Sequence, residues 1–263
     1  MQNQYVCDIG DFGKYGLLNS LCISEFDNFH LSLGVIWYLV PNENNNDGKH
    51  IKYLEQSSEN ENFRNCDPQL YDGLANICHD KGRDISYIRE GGILPISTIF
   101  CEEFLNFEGM PSNSPKARKL RIEHRRKWIQ GAFDATVDCR IIFIDPDNGL
   151  KVRSVKRHNN RGPKYAFFDE LTPYYERGQS LVIYQQRQHT PAERQFKLHF
   201  FQINEHFKGC NGAFALHYHR GTSRIFFVIP SKNHENILFE RAKHFMKGSW
   251  SKHFELLESK DFI

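Results

Sequence analysis

The 263-residue sequence predicts an α/β fold: a mostly parallel sheet with helices on both faces and a C-terminal antiparallel hairpin. Apolar stretches of strand length alternate with stretches of helix length, as in parallel sheets built from crossovers. The stretches 33–40 and 141–144 are apolar throughout, as strands covered on both faces are. Near the carboxyl end, two apolar runs, 212–218 and 224–230, flank Arg220-Gly221-Thr222-Ser223, which reads as a hairpin.

The elements follow in order. Residues 10–22 read as a helix, with Leu17, Leu18 and Leu21 on its apolar face and Phe12 and Tyr15 nearby. Residues 33–40 form a buried strand that stops at Pro41. A polar loop, 42–49, follows and contains Asn44-Asn45-Asn46-Asp47-Gly48. Asp67 as N-cap and Pro68 at the first position open a helix over 67–81. Residues 85–90 are expected to be a short strand before Gly91-Gly92, and 109–115 a Pro/Ser/Asn-rich break. A strongly basic helix spans 115–135, and a central strand spans 140–145. Helix 165–178, strand 180–184, helix 191–207, the hairpin and helix 234–246 complete the chain. The economical organisation is one domain, 1–263, with excursions at about 42–67 and 91–115.

Composition narrows the class. Hydrophobic residues make up 40% and aromatics 14%, with 22 Phe, enough for a sizeable core. The net charge of +2 names no partner, but the charge is unevenly placed. No apolar run approaches the roughly 20 residues that span a bilayer, so no membrane partner is expected. The first residues lack the basic and apolar regions of a signal peptide. Cys7, Cys22, Cys66, Cys78, Cys101, Cys139 and Cys210 are scattered without a CxxC pair. This usage fits free thiols in a cytoplasmic protein and argues against a disulfide framework or structural zinc.

Four stretches carry candidate chemistry. Ile141-Ile142-Phe143-Ile144 runs straight into Asp145-Pro146-Asp147-Asn148-Gly149. Open α/β sheets bind ligands at the carboxyl ends of their strands, which is where Asp145, Asp147 and Asn148 fall. The plainer reading is a solvated Asp-Asn-Gly turn. In Asp8-Ile9-Gly10-Asp11-Phe12-Gly13-Lys14-Tyr15-Gly16, Gly10 and Gly13 would admit a ligand close to the backbone, and the helix start attracts anions. Asp11 and Lys14 are alternatively a surface ion pair. Strand 180–184 ends in Tyr184 and Gln185, which a doubly wound sheet sets beside Asp145; Tyr184 is equally readable as core. Lys116, Arg118, Lys119, Arg121, Arg125, Arg126 and Lys127 would form a positive ridge for a phosphate backbone, against the ordinary reading of a solvated helix face.

Metal signals are weaker. His217 and His219 share a strand face but lack a third ligand nearby in sequence, so an ordinary hairpin pair is expected. Asp8, Asp11, Asp145, Asp147, Asp169 and Glu170 are oxygen donors that would suit Mg²⁺ or Mn²⁺ if the fold gathered them.

A Gly-Asp-to-Lys helix before the first strand, an Asp-Pro strand end, and a closing hairpin resemble the Rossmann-type S-adenosylmethionine methyltransferases. The likeness is nearest to the bacterial ribosomal-RNA adenine-N6 methyltransferases, with their Asn-x-x-Asp-x-x-Lys-His opening helix. Lys14 matches the opening-helix lysine, and Asp145-Pro146 matches the first half of the Asp-Pro-Pro-aromatic motif. Asp147-Asn148 stands where that motif has Pro-aromatic, and Tyr15 where it has histidine. Val40-Pro41-Asn42-Glu43 stands in place of a glycine-rich loop.

The resemblance implies a Rossmann-like enzyme that methylates a base amine in nucleic acid, RNA or DNA. Asp145 would accept from the amine, with Asp147 and Asn148 shaping the pocket and Tyr184 walling it. Asp8, Asp11, Lys14 and Gln185 would flank S-adenosylmethionine. Lys116, Arg118, Lys119, Arg121, Arg125 and Arg126 would hold phosphates. The alternatives are a nuclease or phosphodiesterase using Mg²⁺ or Mn²⁺, and a non-catalytic nucleic-acid-binding subunit of a larger complex.

Overall fold

In the computed structural model, which describes residues 1–24, 27–43, 48–55, 57, 60–188 and 190–262, the strands form one seven-stranded mixed sheet and a two-stranded one. In chain order come α1 (Ile9–Cys22), β1 (Leu33–Trp37), α2 (Glu61–Arg64), α3 (Pro68–Asn76), α4 (Ile85–Glu90) and β2 (Ile99–Cys101). Next are α5 (Pro115–Ala135), β3 (Ile141–Asp145), β4 (Gly149–Leu150), β5 (Tyr165–Ala166), α6 (Phe168–Glu176) and β6 (Ser180–Gln186). The chain closes with α7 (Ala192–His206), β7 (Phe214–Tyr218), β8 (Arg224–Ile229), α8 (Glu235–Lys247) and β9 (Phe254–Glu258).

The large sheet has the order β2-β1-β3-β6-β8-β7-β9. Its first four strands run parallel, as the apolar runs led one to expect. The hairpin then enters with its second strand innermost, so β8 pairs antiparallel with both β6 and β7. Alternate residues of each strand feed opposite faces. Val35, Trp37, Phe143 and Val182 pack against α1, α3 and α8, while Ile36, Ile142, Ile144 and Ile183 meet α5, α6 and α7. Register sets Trp37 beside Asp145 and Ile144 beside Ile183, so β1 and β3 finish level and β6 runs on to Gln186.

Four sequence expectations change. Residues 85–90 are helical: Asp84 accepts from Ser86 N, and Ile85 and Ile88 are buried at helical spacing. Residues 165–166 form β5 against β4, so the helix expected from 165 begins at Phe168. Two sheet strands went unread. β2 has only three residues and lies within the excursion at 91–115, and β9 is the outermost strand beside β7. Within the polar loop 42–49, Asn44-Asn45-Asn46-Asp47 lie outside the described residues. No helix of the described residues is long and apolar enough to cross a membrane. All seven cysteines are free thiols.

α1 sits unusually close to the sheet. A Cβ on Gly16 would lie 2.3 Å from Trp250 Cζ2, and one on Gly10 would lie 2.3 Å from Arg224 Cζ. At Gly13, where a ligand was expected, Tyr218 takes the space, whereas Gly10 lies against Arg224 and also lines the crevice. Trp250 cannot retreat, because Phe12 and Phe245 flank its ring at centroid distances of 4.8 and 5.1 Å. Gly16→Ala should therefore destabilise by about 1–3 kcal/mol through overpacking, despite the better helix propensity of Ala. Gly131→Ala, on exposed α5 with nothing within 4 Å, should instead stabilise by up to about 1 kcal/mol. Urea unfolding of both variants checks the contrast.

Candidate functional site

The carboxyl ends of β1, β3 and β6 open onto a cavity of about 210 Å³. Asp8, Asp11, Lys14, Asp145, Asp147, Asn148, Tyr184 and Arg224 all line it. The candidates from the opening helix, the Asp-Pro strand end and the β6 end thus converge at one sheet edge.

Capping explains how α1 delivers its residues. Asp8 is the N-cap and accepts from Gly10 N at 3.0 Å. Its other contacts are Arg224 Nη2 at 2.6 Å and His50 N at 3.2 Å. One turn on, Asp11 and Lys14 lie on the same helix face, at i and i+3. Lys14 Nζ donates to Asp11 Oδ1 at 2.8 Å and to Asp145 Oδ2 at 2.9 Å. All three side chains are almost fully buried, so this is not a surface ion pair. Burial disfavours the ammonium, but Asp11 and Asp145 outweigh it and hold Lys14 above its ordinary range. Tyr15, where the resembled family has histidine, is buried with its ring centroid 5.3 Å from Lys14 Nζ.

Pro146 ends β3, and the chain turns so that Asp147 points back into the crevice. Lys164 lies 3.1 Å from its carboxylate, and Gln2 Nε2 donates to it at 3.0 Å. Burial pushes Asp147 up, but the Met1 amino group and Lys164 prevail and hold it below the ordinary carboxylate value. Burial raises the Tyr184 hydroxyl, so it stays protonated at neutral pH and can donate.

Gln185 is corrected from cofactor wall to scaffold. Strand alternation turns it away from the Tyr184 side, where it is fully buried. Its Oε1 accepts from Leu150 N at 2.8 Å, and its Nε2 donates to Gln186 O at 2.7 Å. It therefore anchors the turn that carries Asn148. Asp169 and Glu170 are not part of the crevice either: both lie on α6 and pair with Arg157 of the preceding loop.

The basic helix divides into two sets. Arg121 and Arg125 are buried and bound to protein, so they are corrected from phosphate ligands to structural residues. Arg121 donates to His158 O, Asn160 Oδ1 and Met110 O. Arg125 grips both oxygens of Glu170 and the carbonyls of Gly162 and Tyr165. Lys116, Arg118, Lys119, Arg126 and Lys127 are exposed, Arg126 pairing with Glu123.

Both buried arginines fasten one loop, residues 151–164. β4 and β5 pair at its neck, and Lys164 brings its end into the crevice. Between 151 and 164 stand six Lys and Arg and no acid. Lys151, Arg153, Lys156 and Arg161 of that loop are exposed. This second basic surface was missed, although its charge run is plain in the sequence. Arg224, Lys164 and His50 were also missed as lining residues, because only tertiary structure brings them there.

After β1 the described residues 38–43 carry no glycine, Leu39 N donates to Trp37 O at 2.8 Å in a tight turn, and Gly48, with φ +74°, lines the crevice. Val40 N donates to Met1 O at 3.1 Å, and the Met1 amino group donates to Tyr38 O at 2.8 Å. No protein-family model matches this chain, and no curated protein matches it.

Proposed function

We propose that the chain is a Rossmann-like nucleic-acid-modifying enzyme that transfers a methyl group from S-adenosylmethionine to a base amine. The Lys14–Asp145 hydrogen bond carries this reading: it joins two stretches 131 residues apart that each resemble part of a methyltransferase motif. The sheet order supports it, since those enzymes also close a parallel sheet with an antiparallel hairpin. The lining suits the cofactor's charge, with acidic Asp8, Asp11, Glu43, Asp145 and Asp147 outnumbering basic Lys14, Lys164 and Arg224. When bound, S-adenosylmethionine supplies an electrophilic methyl group on a cationic sulfur.

The residues then divide the work. Lys14 fixes Asp145 through Oδ2, and Asp145 Oδ1 accepts from the target amine. Tyr184 and Asn148 orient the base by hydrogen bonds. Lys164 meets the phosphate nearest the crevice, and Arg224 holds Asp8 in place. The exposed cations of α5 and loop 151–164 hold flanking phosphates of RNA or DNA.

A second reading, a nucleic-acid-binding subunit without chemistry, is favoured by Val40-Pro41-Asn42-Glu43 after β1, where a glycine-rich loop would grip the cofactor. Mg²⁺ or Mn²⁺ in the crevice has less support. Asp8, Asp11, Asp145 and Asp147 each face a cationic group already, and a metal ion would have to displace Lys14.

Calorimetric titration with S-adenosylmethionine, then with Mg²⁺ and Mn²⁺, tests the three readings. Binding of S-adenosylmethionine is expected, with labelled methyl transfer to an adenine-containing oligonucleotide. Asp145→Asn should keep cofactor binding and lose transfer. A protein that binds the oligonucleotide but ignores S-adenosylmethionine is the binding subunit of the second reading.

A further inference from the structure

We propose that His217, His219 and Glu255 form a Zn²⁺ site that clips edge strand β9 to β7 and keeps one coordination position open to solvent. The site is separate from the crevice residues and does not depend on the methyl-transfer reading. Tyr218 faces α1, donating its hydroxyl to Ile9 O at 3.1 Å. Alternation therefore turns His217 and His219 to the opposite face, where Phe196 of α7 lies 5.3 Å from the His217 ring. β9 supplies the third ligand that the sequence reading lacked, because register sets Glu255 directly beside His217.

Two of the three donor spacings are close to those of an ion's ligands. Glu255 Oε2 lies 3.6 Å from His217 Nδ1 and 3.6 Å from His219 Nε2. These separations are too long for hydrogen bonds. A tetrahedral ion with bonds near 2.1 Å sets its ligand atoms roughly 3.4 Å apart. All three donor atoms lie within 4.8 Å of one another.

A second observation points the same way. His217 Nδ1 is buried and has no hydrogen-bond partner among the described residues. Its other ring nitrogen, Nε2, lies 2.5 Å from Ser223 Oγ. Donation from Nε2–H to Ser223 leaves the Nδ1 lone pair aimed at Glu255 and His219. This is how an outer hydrogen bond fixes the tautomer of a metal-binding histidine. Two imidazoles and a carboxylate form a donor set suited to zinc, and three protein ligands leave the fourth position to water. His219 and Glu255 are 45% and 54% exposed, so that position faces solvent.

The test uses the full chain, stripped with chelator and titrated with Zn²⁺ and, separately, with Co²⁺. One ion per chain should bind, Co²⁺ should give the visible absorption of a low-coordinate site, and the melting temperature should rise. His219→Ala and Glu255→Gln alter half-exposed side chains and should leave the fold intact. Each should weaken Zn²⁺ binding by more than the roughly tenfold to hundredfold expected of Ser223→Ala. Failure of the parent chain to bind Zn²⁺ stoichiometrically overturns the proposal. So does undiminished binding in the His219→Ala, Glu255→Gln double variant, which would assign the ion to thiols such as Cys66, Cys78 or Cys101.

Discussion

Lys14→Met should lower stability by about 3–5 kcal/mol, the loss expected when one member of a buried ion cluster is removed. Met matches the lysine stem closely, so packing is nearly conserved and the effect is electrostatic. Asp11 and Asp145 would remain buried with their shared ammonium gone. Neutralising both, as Lys14→Met with Asp11→Asn and Asp145→Asn, should recover much of the loss, because a buried array without charges needs no counter-ion. Urea unfolding midpoints at constant slope make the comparison. A single variant within about 1 kcal/mol of the parent would mean that the carboxylates find protons or water, and that the cluster is not a dry one.

Arg125→Ala should cost a similar amount, about 3–5 kcal/mol, and for a related reason. The change strips Glu170 Oε2 and two loop carbonyls of their donor and leaves Glu170 Oε1 to Arg157 alone. It should also free loop 151–164, so protease cleavage within that loop should accelerate before global unfolding. Reversing Lys116, Arg118 and Lys119 to Glu makes the contrast. These exposed changes should leave stability within roughly 0.5 kcal/mol of the parent. They should weaken oligonucleotide binding and flatten its dependence on salt. Equal stability losses in both variants would erase the division between fastening and phosphate-facing cations.

That division marks where sequence reading stops. Periodicity placed α1, α5, α7, β1, β3 and β6 because each is long or wholly apolar, and it placed the hairpin because its turn is punctuated by glycine. Residues 85–90 misled, since a short run with Ile85 and Ile88 reads as strand or helix until the Asp84 cap is seen. Three-residue β2 carries too little pattern to read at all. In the crevice, Asp145 and Lys14 were legible because strand ends and helix starts announce themselves. Arg121 and Arg125 were not, because charge at helical spacing says nothing of which face is covered. Glu255 had no signal of its own: its meaning comes from lying beside His217 in register.

The inward position of β8 constrains how the chain assembles. β7 is made before β8 and runs in the same direction as β6, yet β8 separates them. A growing chain that has reached only β7 offers the open edge of β6 a strand of matching direction in the wrong place. Parallel docking there would be a kinetic trap that must be undone before β8 can enter. Efficient folding therefore favours forming the β7–β8 hairpin first and inserting it whole. The local turn at Arg220-Gly221-Thr222-Ser223 closes faster than any long-range pairing.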